Sequence, residues 1–172
     1  MDTDMKKIDA RDIPVCREVD VMVAGGGPAG TAAALAAARN GAEVIVVEQF
    51  NCLGGVAGAG GHGHISKYDE TGTGRRIVGG IAHEIGNRIV EEGFGTRNSH
   101  GVWFEVEGLK LLLEKMAGES GVSLLYHTFI CDVLVENGAA AGAVIQNKGG
   151  RRIIRAKRVI DCTGDGDVGF RA

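Results

Sequence analysis

Several features that would assign a chain to a specialised class are absent from this sequence. Two prolines in 172 residues, with no glycine repeat of period three, rule out a collagen-like chain despite 29 glycines. The four cysteines, Cys16, Cys52, Cys131 and Cys162, are far apart and form no Cys-x-x-Cys pair. That spacing supports neither a secreted disulfide framework nor a structural zinc site. No apolar run approaches the roughly 20 residues of a membrane span, and residues 1–20 lack the apolar stretch of a signal peptide. A net charge of −3 gives no electrostatic footprint for nucleic acid or an anionic membrane. A reducing cytoplasm is the expected address. Internal repeats and low-complexity tracts are also lacking.

The sequence does contain an ordinary globular balance, 44% hydrophobic and 24% charged, and glycines placed for turns and close backbone approaches. Residues 1–17 read as a polar tail and 18–172 as one domain. Val19–Ala24 is a short strand running into three glycines. Pro28–Asn40 is an alanine-rich helix, with proline suited to its first turn and Gly41 to the position past its end. Val44–Glu48 is nearly continuous in β-branched residues, as a parallel strand covered on both faces should be. Together these make one βαβ unit. Asn51–Gly63 is a glycine-dense loop, and Ser66–Arg76 has no clear period.

Ile77, Ile81, Ile85 and Ile89 predict a second helix, with Glu84 spaced to pair with Arg88. Leu109, Leu112, Leu113 and Met116 predict a third, and Val122–Tyr126 a further strand. Phe129–Glu136, Ala141–Asn147 and Arg152–Ile160 follow as strands joined at Asn137-Gly138 and Lys148-Gly149-Gly150, residues that tolerate hairpin turns. The fold class is therefore α/β: a parallel Rossmann-type sheet flanked by helices, with a three-stranded antiparallel meander appended.

Gly25-Gly26-Gly27-Pro28-Ala29-Gly30 satisfies G-x-G-x-x-G. In that pattern the first glycine makes the tight turn, the second lets a pyrophosphate reach the backbone, and the third lets helix and strand pack closely. The helix N-terminus favours the phosphate charge. A bare glycine pattern is weak, but here a strand precedes it, a helix follows, and the next strand ends in Glu48. An acid there suits ribose hydroxyls and repels a 2′-phosphate, which disfavours NADP. FAD and NAD both remain open on these residues.

The segment Asp20–Gln49, the paired glycines Gly54-Gly55, the Gly79-Gly80-Ile81 helix start and the Asp161–Asp167 ending together resemble the FAD-dependent oxidoreductases with a glutathione-reductase-like flavin fold. The resemblance covers Val19–Ala172. It implies FAD as cofactor and a flavoprotein oxidoreductase activity on a small-molecule substrate, while the composition leads to the expectation of no nucleic-acid or membrane partner. It further implies that Gly25, Gly27, Pro28, Ala29 and Gly30 hold the pyrophosphate and that Glu48, beside Gln49, holds the ribose. Gly54 and Gly55 are expected to lie along the cofactor, Ile130 to offer backbone groups to adenine, and Thr163, Gly164 and Asp165 to approach the phosphates. Relatives continue past the position of Ala172, so a further C-terminal domain or a second chain is expected to complete the flavin site. Two rival readings stay open: a nucleotide-binding portion without turnover, and a plain NAD-binding domain, against which the meander and Thr163-Gly164 argue.

Other groups are read as structural. Cys52 lacks the partner a disulfide reductase needs and is expected to be a small buried residue. His62 and His64 lie in the glycine-rich loop where some relatives attach flavin covalently; they are read as loop histidines with no chemical task, and no metal is expected. The Arg151–Arg158 cluster is taken as a solvated strand face, and Trp103 and Phe104 as packing at the start of a helix. No residue stands out as catalytic.

Overall fold

The computed structural model describes residues 12–66, 68–70 and 73–172; most of the polar tail lies outside them. In chain order the elements are β1 (Val15–Ala24), α1 (Pro28–Arg39), β2 (Val44–Val47), β3 (His64–Ser66), α2 (Gly80–Glu91), β4 (Gly95–Asn98) and β5 (Gly101–Phe104). There follow α3 (Val106–Glu119), β6 (Ser123–Leu125), β7 (Phe129–Glu136), β8 (Ala139–Asn147), β9 (Gly150–Asp161) and α4 (Asp167–Arg171). Six strands form one sheet in the order β6-β2-β1-β9-β8-β7. β6, β2, β1 and β9 run parallel, whereas β9, β8 and β7 run antiparallel.

The β-branched run of β2 explains the layering. Alternate residues of a strand face opposite sides, and all four residues of β2 are buried. Val44 and Val46 pack with Leu35, Leu109, Leu112 and Met116 of the helical layer. Ile45 and Val47 pack with Ala143, Ile145, Ile154 and Ala156 of the meander. Each such side chain contributes about 1.5–3 kcal/mol by leaving water. The meander is thus not a mere appendage. β9 pairs with β8 over Gly150–Arg155 and runs parallel to β1 from Ile153 to Asp161. Asn137 and Gly138 both have positive φ, 50° and 74°, as the two-residue turn between β7 and β8 requires.

Four sequence expectations need correcting. β1 begins at Val15, inside the expected tail, because Val15 and Arg17 already pair with Ile153 and Ile154. α2 starts at Gly80, so Ile77 lies outside it and is exposed. Glu84 does not pair with Arg88; it receives two hydrogen bonds from Arg39 of α1, at 2.6 and 2.8 Å. Arg88 instead bonds Glu119 of α3 and Glu92, tying the helices together. Lastly, Trp103 and Phe104 sit in β5, the centre of a second, antiparallel sheet ordered β3-β5-β4. Short, mixed-polarity strands of this kind carry little periodic signal, and their pairing is fixed by tertiary hydrogen bonds such as Phe104 N to Gly63 O, 3.0 Å.

Candidate functional site

The glycine loop lies between the end of β1 and the start of α1, against the turn that follows β9. Its first and third glycines are held by backbone. A Cβ on Gly25, whose φ is +92°, would stand 2.4 Å from the Cys162 carbonyl oxygen; one on Gly30 would stand 1.8 Å from the Gly25 carbonyl oxygen. Gly27 is different. It is the N-cap of α1, extended at φ −64° and ψ −174°, and its Cβ direction meets no atom of the described residues within 4 Å. No side chain caps this helix and no acid occupies its first turn. The first-turn N–H groups and the helix dipole therefore face an open space suited to an anion.

That space opens into a cleft of about 540 Å³, within the ordinary range for a small-molecule site. Gly25, Gly27, Pro28, Ala29, Glu48, Gln49, Gly55, Ile130, Thr163 and Gly164 all line it. Gly30 is buried beneath the loop. Gly54 is buried too; its N–H donates to the Gly26 carbonyl at 2.8 Å, which sets Gly55 against Gly27. Asp165 is exposed and outside the cleft, whereas Asp167 lines it. Phe50, Val56, Thr128 and Phe129 line it as well, without any sequence signal for them. They converge because Thr128 N donates to Glu48 O (3.0 Å) and His127 N to Phe50 O (3.1 Å), joining the end of β2 to the start of β7.

Glu48 is only 4% exposed. Its Oε2 accepts from Gly26 N at 2.6 Å and its Oε1 from Phe50 N at 2.8 Å. It therefore braces the glycine loop as well as facing the cleft, and a carboxylate has lone pairs left for ribose hydroxyls. Thr31 Oγ1 donates to Gly26 O at 3.0 Å and secures the loop from the helix side.

On the opposite wall Asp161 organises the turn. Its Oδ1 accepts from Thr163 N and Oγ1 at 3.1 and 2.7 Å. Its Oδ2 accepts from Val168 N and Gly169 N at 3.1 and 2.9 Å. Burial pushes its carboxyl up, but these donors outweigh burial and hold it below the usual carboxylate range. Burial raises the Cys52 thiol, and burial with the nearby Asp161 charge raises that of Cys162. Both stay protonated and act as packing groups, Cys52 being buried as the sequence suggested. Among the described residues no three His, Cys, Asp or Glu side chains gather as a metal site. No helix there is long and apolar enough to cross a membrane.

Comparison with known proteins identifies the family. A family model described as FAD dependent oxidoreductase matches residues 20–172. A thiamine thiazole synthase of Aeropyrum pernix is 32% identical over 159 residues, a span covering 84% of this chain and 54% of that protein. The chain thus spans about half the length of the curated relatives it matches. Among solved structures, THI4 of Thermovibrio ammonificans aligns with a TM-score of 0.63 at 24% identity, covering 90% of this chain and 61% of that one. A geranylgeranyl bacteriochlorophyll reductase-like protein of Thermoplasma acidophilum gives 0.64 at 21%, covering 90% and 42%. Those two establish the fold. The family match runs from the strand before the glycines through the Asp161 turn: this chain belongs to the FAD dependent oxidoreductases, and FAD is its cofactor.

Proposed function

We propose that this chain is the FAD-binding portion of a cytoplasmic oxidoreductase acting on a small molecule. The observation that carries the reading is the uncapped start of α1 with open space over Gly27. The residues fit the pyrophosphate and adenosine half of the cofactor. The first turn of α1 at Pro28 and Ala29, below the open space at Gly27, receives the pyrophosphate, Gly30 lets that turn pack closely, and Gly25 shapes the turn that presents it. Glu48 and Gln49 take the adenosine ribose. Ile130 offers backbone groups to adenine, with Phe50 and Phe129, 47% and 58% exposed, giving aromatic faces beside it. Gly55, set in place by Gly54, lies along the chain of the cofactor. Thr163 and Gly164, steadied by Asp161, approach from the β9 side, and Asp167 rather than the exposed Asp165 stands next to them.

When bound, FAD supplies the electron chemistry at its isoalloxazine ring, and the protein supplies binding, orientation and shielding from water. A further domain or a second chain closing the ring end of the cleft belongs to this proposal, supported by the greater length of the relatives. The cytoplasmic address is supported by four free thiols. The test is an absorption spectrum of the purified protein with and without added FAD. Flavin bands that stay with the protein through gel filtration support the reading. A colourless protein that ignores FAD overturns it.

A further inference from the structure

Gly26 stands in the middle of the glycine loop, yet it is buried and its backbone polar groups are already paired. Its N–H donates to Glu48 Oε2. Its carbonyl accepts from Thr31 Oγ1 at 3.0 Å and from Gly54 N at 2.8 Å. A carbonyl oxygen has two lone pairs, so this one is filled. Gly26 has nothing left to offer a ligand.

Its effect passes to the next residue. A trans peptide is planar and sets the carbonyl of one residue opposite the N–H of the following one, and no cis bond occurs among the described residues. Two buried donors hold the Gly26 carbonyl inward, so the Gly27 N–H is turned the other way. Gly27 lines the cleft, and its N–H meets no acceptor among the described residues. It joins the Ala29 N–H of the uncapped first turn of α1, which gives two donors to one open space.

Of the two groups that hold the Gly26 carbonyl, Gly54 contributes backbone and Thr31 a side chain. Thr31 is 2% exposed, and its hydroxyl reaches back five residues to make this bond. We infer that Thr31 is a positioning residue for the pyrophosphate of the cofactor. It touches no ligand; it sets the Gly26–Gly27 peptide so that the Gly27 N–H faces the phosphate before the cofactor arrives. This rests on the reading that the cleft holds FAD. Apparent affinity falls in proportion to the share of molecules ready to bind. One neutral hydrogen bond of ordinary net strength puts the loss on removing the hydroxyl at about two- to tenfold.

The experiment compares the parent, Thr31→Val and Thr31→Ser for binding of FAD, ADP and adenosine. Flavin absorbance follows FAD, and proton–nitrogen correlation spectra of protein labelled at glycine follow the other two. In the parent, ADP should move the Gly27 amide proton downfield, whereas adenosine, which lacks the phosphates, should leave it in place. Thr31→Val should bind FAD and ADP about two- to tenfold more weakly and adenosine as the parent does. Thr31→Ser, which keeps the hydroxyl, should match the parent for all three. Thr31→Ala carries the same expectation as Thr31→Val where the valine does not fold. A merely structural role would weaken adenosine along with ADP, and that result overturns the inference. So do parental affinities for FAD and ADP without the hydroxyl, a Thr31→Ser protein as weak as Thr31→Val, and a Gly27 resonance that ADP does not move. A parent that binds neither FAD nor ADP sinks the cofactor reading itself; a parent that binds both while Thr31→Val is unaffected sinks only the role of Thr31.

Discussion

Gly27 and Gly30 belong to one motif but answer to different parts of the physics, and two substitutions separate them. Gly27 is already extended, as a residue before proline prefers, and a Cβ there meets no atom of the described residues within 4 Å. Gly27→Val should therefore fold, with stability within about 1 kcal/mol of the parent, since glycine contributes no side-chain cap that valine removes. Its methyl groups would occupy the space over the helix start. Displacing a pyrophosphate from two backbone N–H groups costs about 3–6 kcal/mol at roughly 1.5–3 each, or about 10²- to 10⁴-fold in Kd for FAD. Gly30→Ala does the opposite. Its Cβ would fall 1.8 Å from the Gly25 carbonyl oxygen, and backbone cannot swing aside as a side chain can. Overpacking of that kind costs about 1–3 kcal/mol or more. Thermal unfolding and FAD titration of both variants provide the assay. A Gly27→Val protein that binds FAD like the parent, or a Gly30→Ala protein of parental stability, would refute the reasoning.

Three further outcomes follow from the contacts. In double-mutant cycles, Glu84 should couple to Arg39 by about 0.5 kcal/mol, the pair being partly exposed, and more weakly to Arg88, which bonds Glu119 and Glu92 instead; coupling to Arg88 alone would contradict the observed pairing. Asp161 has a folded-state carboxyl held below its unfolded value, so its contribution is present above the unfolded pKa, about 4, and is lost as pH falls through the folded one. Asp161→Asn should flatten that part of the acid limb in a stability-versus-pH series and weaken FAD binding; an unchanged acid limb would count against the turn described here. The Tyr126 hydroxyl is buried with no well-formed hydrogen bond among the described residues, only a weak approach of the Leu53 backbone, and burial above all pushes its pKa up to about 12. Tyr126→Phe removes a polar group that gains little, so thermal unfolding should be unchanged or raised by up to about 1 kcal/mol; a clear loss of stability would show a partner for that hydroxyl.

What the sequence made legible was local. The V-I-V-V run of β2, the glycine loop with Pro28, and the Asn137-Gly138 turn each carry their conformation in a few adjacent residues. The βαβ unit and the meander could therefore be traced from them. What stayed hidden depends on partners distant in the chain. β3, β4 and β5 are three or four residues long and gain their pairing from each other rather than from a period. Arg39 reaches Glu84 across a helix interface that (i, i+4) spacing does not encode. The same division runs through the cleft. Gly25, Gly27 and Glu48 announce themselves by spacing, whereas Phe50, Thr128 and Phe129 meet only because the end of β2 packs beside the start of β7. The bracing of Thr163 by Asp161 lies close in sequence, but its significance appears only when the same carboxylate also holds the first turn of α4.

The proposed cleft holds the dinucleotide by its pyrophosphate and adenosine half. Equilibrium binding of FAD and FMN to the purified chain, read from the flavin absorbance, tests this most directly. FAD should bind, with FMN weaker by about ten- to a hundredfold or more, since FMN lacks the ribose proposed to bond Glu48 and one such charged hydrogen bond is worth about 1.5–3 kcal/mol. Equal affinity for the two, or no affinity for FAD, would contradict it.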